Sequence, residues 1–407
     1  MGSLLTIRHK DYRVFQTAFN WLIIFCVLQA WFFQSSYNQL FDLGGDDQYF
    51  YKDWILLGYS DINEVLTDYN PYKTFILPSV FYLKFLNYIG FNSTFSFHIN
   101  IINIFVGAFI PVFVYKTALL FLESAKAQSA SLFVLFFPFL NYQCVKIIRD
   151  VDVYLLFTLF IYFLSSNYKI YTKAFWFLII SFLMFNVRKE AVFYILIFAG
   201  SYLFFQAKSF ITKSFFIFSV VLALGFFIYL LSTNYGLDFN SISRFSELYD
   251  ELRTETGGGN SLATILKNAG FLGKIISIPY VWLSPLPPPI FFSVTAMSTF
   301  ISLGSLVWYY LMPRGAIQLY FESKNTINPK IRNLSLSLSI TIILGSLFIS
   351  YTSGDPRHTL IFMPVFSIFC FGYFENQNKN FEYLLNYISI SILIIAIISY
   401  AIIKILI

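Results

Sequence analysis

Charged residues are scarce in this sequence, since Asp, Glu, Lys and Arg together make up 12% of its 407 residues. A soluble globular domain carries about 25% of such residues, and the hydrophobic share of this chain is 57%. Apolar runs recur from one end to the other, and the longest mainly polar stretches are 34–74 and 233–275. The composition excludes a soluble globule and predicts a polytopic membrane protein without a separate soluble domain.

Cysteines and basic runs are also rare. The three cysteines, Cys26, Cys144 and Cys370, lie far apart in apolar surroundings, whereas a disulfide framework or a cysteine metal cluster needs closely spaced pairs. The net charge of +6 is not gathered into a long basic run, so we expect membrane lipids and no nucleic acid as partners. The sequence favours packing roles for all three cysteines.

Apolar stretches of helical length are what the sequence has in abundance. We predict an all-α fold, a polytopic membrane helical bundle of about 11 transmembrane helices, because each span needs roughly 20 apolar residues. Residues 1–407 would form one integral-membrane domain, with external loops 34–96 and 233–289 as a small cap that contains interfacial helices near 76–90 and 262–283. The predicted spans are 14–33, 97–120, 129–144, 151–166, 174–187, 190–206, 214–232, 290–312, 334–351, 359–374 and 384–406.

Lysine and arginine in the short loops set the predicted orientation. They favour a multi-pass plasma (inner) membrane protein with a cytoplasmic N-terminus that is an uncleaved anchor. With this orientation, charged clusters from five separate connections share the outer face, which would place an active site toward the periplasm or exterior. The clusters are "GGDDQYFYKD" (44–53), "RDVD" (149–152), "RKE" (188–190), "RTETGGGN" (253–260) and "GDPRH" (354–358).

Adjacent carboxylates follow the first predicted span in "GGDDQYFY". Two like charges side by side raise at least one pKa, and partial burial raises it further. Asp46 or Asp47 could then act as a general base toward a sugar hydroxyl. The alternative is a solvated acidic loop that only ends a helix.

Arginines and acids also flank three later spans. Arg149 could bind a phosphate through the planar set of N–H donors on its guanidinium. Asp150 and Asp152 either support that role or interact favourably with the dipole at a helix N-terminus. Arg188 paired with Glu190 is a candidate contact for a lipid phosphate, and Lys189 is read as a snorkelling anchor.

The "GDPRH" element adds a compact cationic pair, Arg357 and His358, which suits a phosphate or diphosphate leaving group. Asp355 is the nearby acid that would support it, and Pro356 fixes the turn.

These short motifs, in this order, resemble the GT-C fold of integral-membrane glycosyltransferases, and most closely the branch of protein mannosyltransferases and lipid A aminoarabinose transferases. In "GDDQYFY", Asp46 stands at the position of the catalytic aspartate, Asp47 where the family often has Glu, and Tyr49 among the following aromatics. The resemblance implies an inverting transfer of a sugar from a polyprenyl-(di)phosphate donor. A large C-terminal soluble domain is missing, which favours a lipid-linked glycan over a protein as acceptor, in cell-surface polysaccharide assembly such as that of lipopolysaccharide.

Two other functions fit the same pattern. An O-antigen or capsule polymerase would use a whole polyprenyl-diphosphate oligosaccharide, and a polysaccharide or lipid flippase would only transport one. A transporter tends to have repeated halves and interrupted helices at mid-membrane, whereas this sequence has no internal repeat and its ionisable residues cluster at one rim of the membrane. A cofactor is not specified: Asp46, Asp47, Asp150 and Asp152 could form an oxygen-ligand site for Mg or Mn, or none.

Overall fold

The computed structural model describes residues 9–33, 46–67, 73–91, 96–207, 296–325, 328–352, 356–371 and 379–406, with the isolated residues 209, 213, 214, 218, 225 and 282. Within them the chain forms α-helices and short 3-10 turns and no β-strand. The α-helices are α1 (His9–Phe33), α2 (Asp46–Ser60), α3 (Ile62–Thr67), α4 (Lys73–Tyr88), α5 (Ser96–Ala118), α6 (Ser124–Phe136), α7 (Pro138–Cys144), α8 (Asp150–Ser165), α9 (Ile170–Val187), α10 (Val192–Gln206), α11 (Ala296–Asn325), α12 (Pro329–Thr352), α13 (Met363–Phe371) and α14 (Lys379–Leu406).

Four of the described helices are long and apolar enough to cross a bilayer. They contain the stretches Lys10–Trp31 in α1, Ser96–Ala118 in α5, Ile170–Val187 in α9 and Pro329–Ile349 in α12. The apolar helices α8 and α10 are shorter, and α8 with its 16 residues is about 24 Å long against a hydrocarbon core of about 30 Å. The all-α fold of the described residues is therefore confirmed, and the four apolar helices support a membrane protein, while the larger number of about 11 spans stays a prediction.

Two predicted spans are wrong as drawn. The stretch 359–374 begins in the 3-10 turn Pro356–Ile361 and, within the described residues, contains only the nine-residue helix α13, Met363–Phe371. The apolar stretch 129–144 is not a single helix, because α6 ends at Phe136 and α7 starts at Pro138. Phe137 between them has an extended backbone, with φ −73° and ψ 109°. A proline disfavours helical backbone in the residue before it, so the chain breaks at Phe137 and α7 takes Pro138 as its first residue.

The described helices belong to two compact units. The first comprises Met1–Phe193, Pro285–Gln318 and Ile361–Ile407, and the second Tyr194–Ser284 and Leu319–Leu360.

In the first unit, α5 is the central helix, packed between α1, α6 and α8. The α1 helix runs antiparallel to α5, because the ring of Phe15 lies 4.6 Å from that of Phe109 while Cys26, farther along α1, lies 4.0 Å from the Asn100 amide near the start of α5.

One end of this bundle is held by an ion pair that is well separated from the candidate site described below. Lys116, near the end of α5, lies 3.5 Å from Asp11 at the start of α1, and its ammonium lies over the ring of Tyr162 near the end of α8. At the other end, the Asn103 side chain contacts the turn that precedes α8. Because α5 rises about 1.5 Å per residue, Asn103 and Lys116 lie about 20 Å apart along it. The beginning of α8 and the N-terminus of α1 are thus at opposite ends of the bundle.

Helices α2, α3 and α4 form a small cap in the region that the sequence suggested as an external loop. Their shared core contains Tyr51, Ile55, Val65, Val80 and Leu83, and it extends to two residues of the bundle, Ile99 and Ile147. The predicted interfacial helix near 76–90 corresponds to α4. Since Ile147 lies in the turn before α8, the cap is seated at the end of the bundle where α8 begins.

The second unit contains most of α10 and α12, and its core includes the aromatic contact of Tyr194 with Phe348 at 6.3 Å. The indole of Trp282 donates a 2.7 Å hydrogen bond to the Ser346 hydroxyl. Along α12, buried hydroxyls such as that of Ser335 donate to carbonyls one turn earlier in the same helix, which explains how a serine-rich helix can remain buried.

Candidate functional site

The connection between α9 and α10 is an abrupt turn that carries three charged residues. Arg188 follows α9 with an extended backbone, at φ −154° and ψ 101°, and Lys189–Ala191 form a 3-10 turn before α10. The amide of Arg188 still donates to the Met184 carbonyl at 2.7 Å. The "VRKE" sequence is therefore a tight link between two apolar helices, as the sequence predicted.

Arg188 binds two carboxylates at once. Its Nη1 lies 2.5 Å from Oδ1 of Asp150, and its Nε lies 2.7 Å from Oε1 of Glu190. The exposed fraction of the side chain is 7% for Asp150, 13% for Arg188 and 41% for Glu190. The pair of Asp150 and Arg188 is thus almost entirely removed from water, and Glu190 closes the cluster on its accessible side.

Arg149 joins the same two segments from the other direction. It directly precedes α8, and its Nη1 donates a 3.1 Å hydrogen bond to the carbonyl of Val187, the last residue of α9. The final carbonyls of a helix have no partner within it, so Arg149 supplies one. "RDVD" and "VRKE", which are 38 residues apart, are therefore connected by a charged contact and a backbone contact. The structure thus brings these two of the five predicted clusters together.

Asp152 lies in the same first turn of α8 as Asp150 but on a different face. Residues two positions apart on a helix do not face each other, so the half-buried Asp152 points away from the direction in which Asp150 meets Arg188. Both acids lie at a helix N-terminus, where the dipole favours negative charge. The described contacts bring Asp150, and not Asp152, to Arg188.

The charges of the arginines control the ionisation of Glu190, which lies in the 3-10 turn outside the helices. Removal from water is the largest single effect and raises the pKa of Glu190, while the positive charges of Arg188 and Arg149, together with a backbone hydrogen bond and the hydrogen bond from Arg188, lower it by more in total. The pKa of this carboxyl consequently lies below its ordinary value. Glu190 is an anion at neutral pH, and the cluster of two arginines, Asp150 and Glu190 has no net charge.

Asn103 of α5 holds the turn that precedes α8, next to this cluster. The sequence alone did not indicate this role. The buried Nδ2 of Asn103 donates to the carbonyls of Lys146 at 2.5 Å and Ile148 at 2.7 Å, so it fixes the turn that leads into Arg149. The available signal was a strongly polar side chain inside a span that is mostly apolar, a position at which polar residues are costly and often functional.

The acidic pair of the first loop lies at the start of the cap. The backbone of Asp46, Asp47 and Tyr49 forms the first turn of α2, and their side chains lie outside the described part of the structure. Later residues of the same helix, Tyr51 and Ile55, belong to the core that includes Ile147. The cap thus connects the helix that begins with these acids to the turn that carries Arg149.

The remaining predicted residues lie in the second unit or outside the described residues. Arg357 and His358 are in the 3-10 turn Pro356–Ile361, where Arg357 is half-buried and His358 is buried. Asp355 and the "RTETGGGN" cluster lie outside the described residues.

Among the described side chains, no group of three or more His, Cys, Asp or Glu residues is arranged to hold a metal ion. Asp150 is paired with Arg188, and the side chains of Asp46 and Asp47 lie outside the described part of the structure. A Mg or Mn site made from these carboxylates stays a prediction.

Comparison of the chain with protein-family models, with curated proteins and with solved structures found no match. The chemistry of the cluster and its place in the fold therefore carry the functional interpretation.

Proposed function

We propose that this protein is a membrane glycosyltransferase that moves a sugar from a polyprenyl-(di)phosphate donor to a lipid-linked glycan acceptor at the outer face of the membrane. The observation that carries the proposal is the cluster of Asp150, Arg188 and Glu190, which lies at one end of a bundle of apolar helices, next to a helical cap. A guanidinium cluster beside apolar surface suits a ligand with an anionic phosphate on a long hydrocarbon chain.

The uneven burial of the two carboxylates supports phosphate binding at Arg188. Asp150 is nearly buried and would keep the guanidinium in place, whereas Glu190 is bound to Nε at the accessible side. A phosphate oxygen could replace the Glu190 carboxylate at Nε without leaving Arg188 unpaired. Arg149, adjacent to this position, would add a second positive charge to the complex.

The proposed reaction is a direct displacement at the anomeric carbon. The acceptor hydroxyl gives its proton to Asp46 as its oxygen forms a bond to that carbon, and the bond between the carbon and the phosphate oxygen breaks. The electron pair of the broken bond leaves with the polyprenyl phosphate, and the anomeric centre is inverted. Fixed positive charges near the leaving group stabilise the transition state in this kind of step, which is the role proposed for Arg149 and Arg188. Arg357 and His358 keep the same role as an expectation from the sequence alone.

Transfer of a radiolabelled sugar from a polyprenyl-phosphate hexose tests this function in purified protein reconstituted into nanodiscs. Asp46→Asn should lower the rate by at least about 100-fold, the lower range for loss of a general base, while the variant stays folded. Asp53→Asn is the matched control, because Asp53 is an exposed acid of the same helix and should keep full activity.

The products of the same assay separate the competing functions. One added sugar supports a transferase, whereas a ladder from a lipid-linked repeat unit indicates a polymerase. Translocation of the lipid without a new glycosidic bond would overturn both in favour of a flippase. EDTA treatment, with Mg or Mn restored afterwards, reports whether the reaction needs a cation.

A further inference from the structure

Helix α4 of the cap carries apolar side chains on two opposite faces. Val80 and Leu83 are fully buried in the core of the cap. On the other face, Phe81 is 58% exposed, Phe85 is 57% exposed and Tyr88 is 89% exposed. Positions three and four apart on a helix share a face, so these three residues form one aromatic stripe along α4. A contiguous apolar patch on the surface of a protein marks a site that meets another molecule or a membrane.

The aromatic stripe lies at the level where membrane-crossing helices of the first unit end. Helix α4 packs against α5 and α9, which are two of the four helices long enough to cross a bilayer. The cap core to which α4 contributes includes Ile99, a residue of the first turn of α5. Trp31, near the end of α1, lies at the same end of the bundle because α1 runs antiparallel to α5, and it is 76% exposed. Tryptophan and tyrosine concentrate at the level of the lipid headgroups, so Trp31 and Tyr88 indicate that α4 lies at this level.

The charges of the cap are divided between its helices. The sequence of α4 contains two lysines and no acid, whereas residues 46–67 contain five acids and one lysine. Lys84 lies beside the aromatic stripe, three positions after Phe81 and four before Tyr88. A lysine in this setting can keep its methylene groups in apolar surroundings and extend its ammonium to a phosphate. The outer face of α4 is therefore apolar and cationic, which is the combination that binds the surface of a bilayer containing anionic lipids.

We propose that the aromatic stripe and Lys84 bind the lipid leaflet on the side of the cap, with the rings among the acyl chains and the ammonium at the phosphates of anionic phospholipids. The sequence predicted only an interfacial helix near 76–90, and the packing of α4 in the cap adds which of its faces meets lipid. This contact would hold the cap, and with it the start of α2, at the membrane surface. The proposal does not depend on the transfer reaction.

Nitroxide labels on the full chain in nanodiscs of phosphatidylcholine and phosphatidylglycerol test the position of the aromatic stripe. Phe81→Cys and Phe85→Cys are labelled separately, and the native cysteines among the described residues are buried. Collisions of each label with oxygen, which partitions into lipid, are compared with collisions with a water-soluble nickel chelate. We expect the ratio of oxygen to nickel collisions to be several-fold higher at both positions than at a label on Asp61→Cys, an exposed position of the cap.

Two results of this measurement would overturn the proposal. Nickel collisions as frequent at Phe81→Cys and Phe85→Cys as at Asp61→Cys would place the aromatic stripe in water. Suppressed collisions with both reagents would mean that protein covers the stripe, either a second copy of the chain or another segment of the same copy. Because both substituted side chains are exposed, the two variants should unfold at the same temperature as the native protein.

Brominated lipids test the contribution of Lys84. Phe85→Trp adds an indole to the aromatic stripe, and its fluorescence is taken as the difference from the native chain. In mixed nanodiscs with bromine on one lipid at a time, brominated phosphatidylglycerol should quench this fluorescence more than brominated phosphatidylcholine does. Adding Lys84→Gln should abolish the difference. Adding Lys126→Gln instead, on α6, is the control and should preserve it. Equal quenching by the two lipids in Phe85→Trp, or a difference that survives Lys84→Gln, overturns the role of Lys84.

Discussion

Arg188 is bound by two carboxylates that differ in their exposure to solvent. We expect the buried carboxylate to serve folding and the accessible one to serve ligand binding. Asp150 reaches Arg188 from α8 and is almost buried, while Glu190 reaches it from the adjacent 3-10 turn and remains accessible. Removing one member of a buried ion pair leaves an uncompensated charge, which costs more than the pair itself contributes. Asp150 should therefore matter for folding and Glu190 for ligand exchange.

Asp150→Asn should destabilise the protein by about 3 kcal/mol, at the lower end of the range for breaking a buried pair because Glu190 still faces Arg188. The measurement is unfolding in detergent, followed by the exposure of buried cysteines to a thiol dye. Asp61→Asn is the control, because Asp61 is an exposed acid of the cap and should unfold like the native chain. Equal stability of Asp150→Asn and the native chain would show that the ion pair is not structural.

The loss of stability at acidic pH should depend on the ionisation of Glu190. Its pKa in the folded state lies below the ordinary value of 4.5, so the folded state favours the ionised form. The ionised carboxylate contributes stability that is present above pH 4.5 and is lost as the pH falls through the lower pKa of the folded state.

Melting temperatures measured from pH 6 to pH 3 should consequently fall more steeply in the native protein than in Glu190→Gln. Parallel curves for the two proteins would mean that Arg188 and Arg149 do not lower the pKa of Glu190 in the folded state.

At the scale of elements, the cap depends on a close approach of its helices. Gly58 in α2 has no room for a side chain, since a Cβ there would lie 2.7 Å from Cγ2 of Val65 in α3 and 2.9 Å from Cγ2 of Val80 in α4. Valine is stiff at χ1, so these methyl groups cannot simply rotate away. The approach places Tyr51 and Ile55 of α2 over Ile147 and thereby orients the helix that begins at Asp46.

Gly58→Ala should loosen the cap. Alanine gains about 1 kcal/mol over glycine in a helix, but overpacking costs about 1–3 kcal/mol, and the net effect should be a loss. Hydrogen–deuterium exchange should become faster in residues 46–88 and stay unchanged in α5. Asp53→Ala is the control, at an exposed position of α2. It raises the helix propensity without creating a steric clash, so it should slow exchange or leave it unchanged.

The helices that the sequence predicted well are those defined by a continuous apolar run. The predicted spans 97–120 and 151–166 differ by at most two residues from the ends of α5 and α8, because the apolar run itself ends there. For the cap, the sequence predicts only a loop with one interfacial helix, because the mixed sequence of its three helices shows no long apolar period. They gain stability from a core that includes Ile99 and Ile147, which lie far along the chain.

Some contacts of the candidate site could also be predicted from the sequence, and others could not. The pairing of Arg188 with Glu190, two residues apart, was visible in the sequence, as was the tight turn that holds them. The contact of Arg188 with Asp150 joins residues 38 positions apart, and periodicity says nothing about which helices become neighbours. The hydrogen bond from Arg149 to the Val187 carbonyl also depends on the packing of α8 beside α9. Local chemistry could be predicted, and the partners across helices could not.

At the scale of the whole molecule, the first unit has two polar ends separated by apolar helix. The ion pair of Asp11 and Lys116 lies at one end, and the cluster around Arg188, with the cap, lies at the other. Glu123 directly precedes α6, whose Ser124 lies 3.3 Å from the Tyr115 hydroxyl next to Lys116, so Glu123 belongs to the first end. Asp61 is an exposed residue of the cap and belongs to the second.

If the helices cross a membrane, these two ends must face opposite compartments. We expect Asp61→Cys to react with a membrane-impermeant maleimide in intact cells, and Glu123→Cys to react only after permeabilisation. The native cysteines are all buried, so the unsubstituted protein is the background control and should remain unlabelled. Labelling of both positions from the same side would contradict the membrane placement, because it would leave no bilayer between the N-terminus of α1 and the cluster to which the lipid phosphate is proposed to bind.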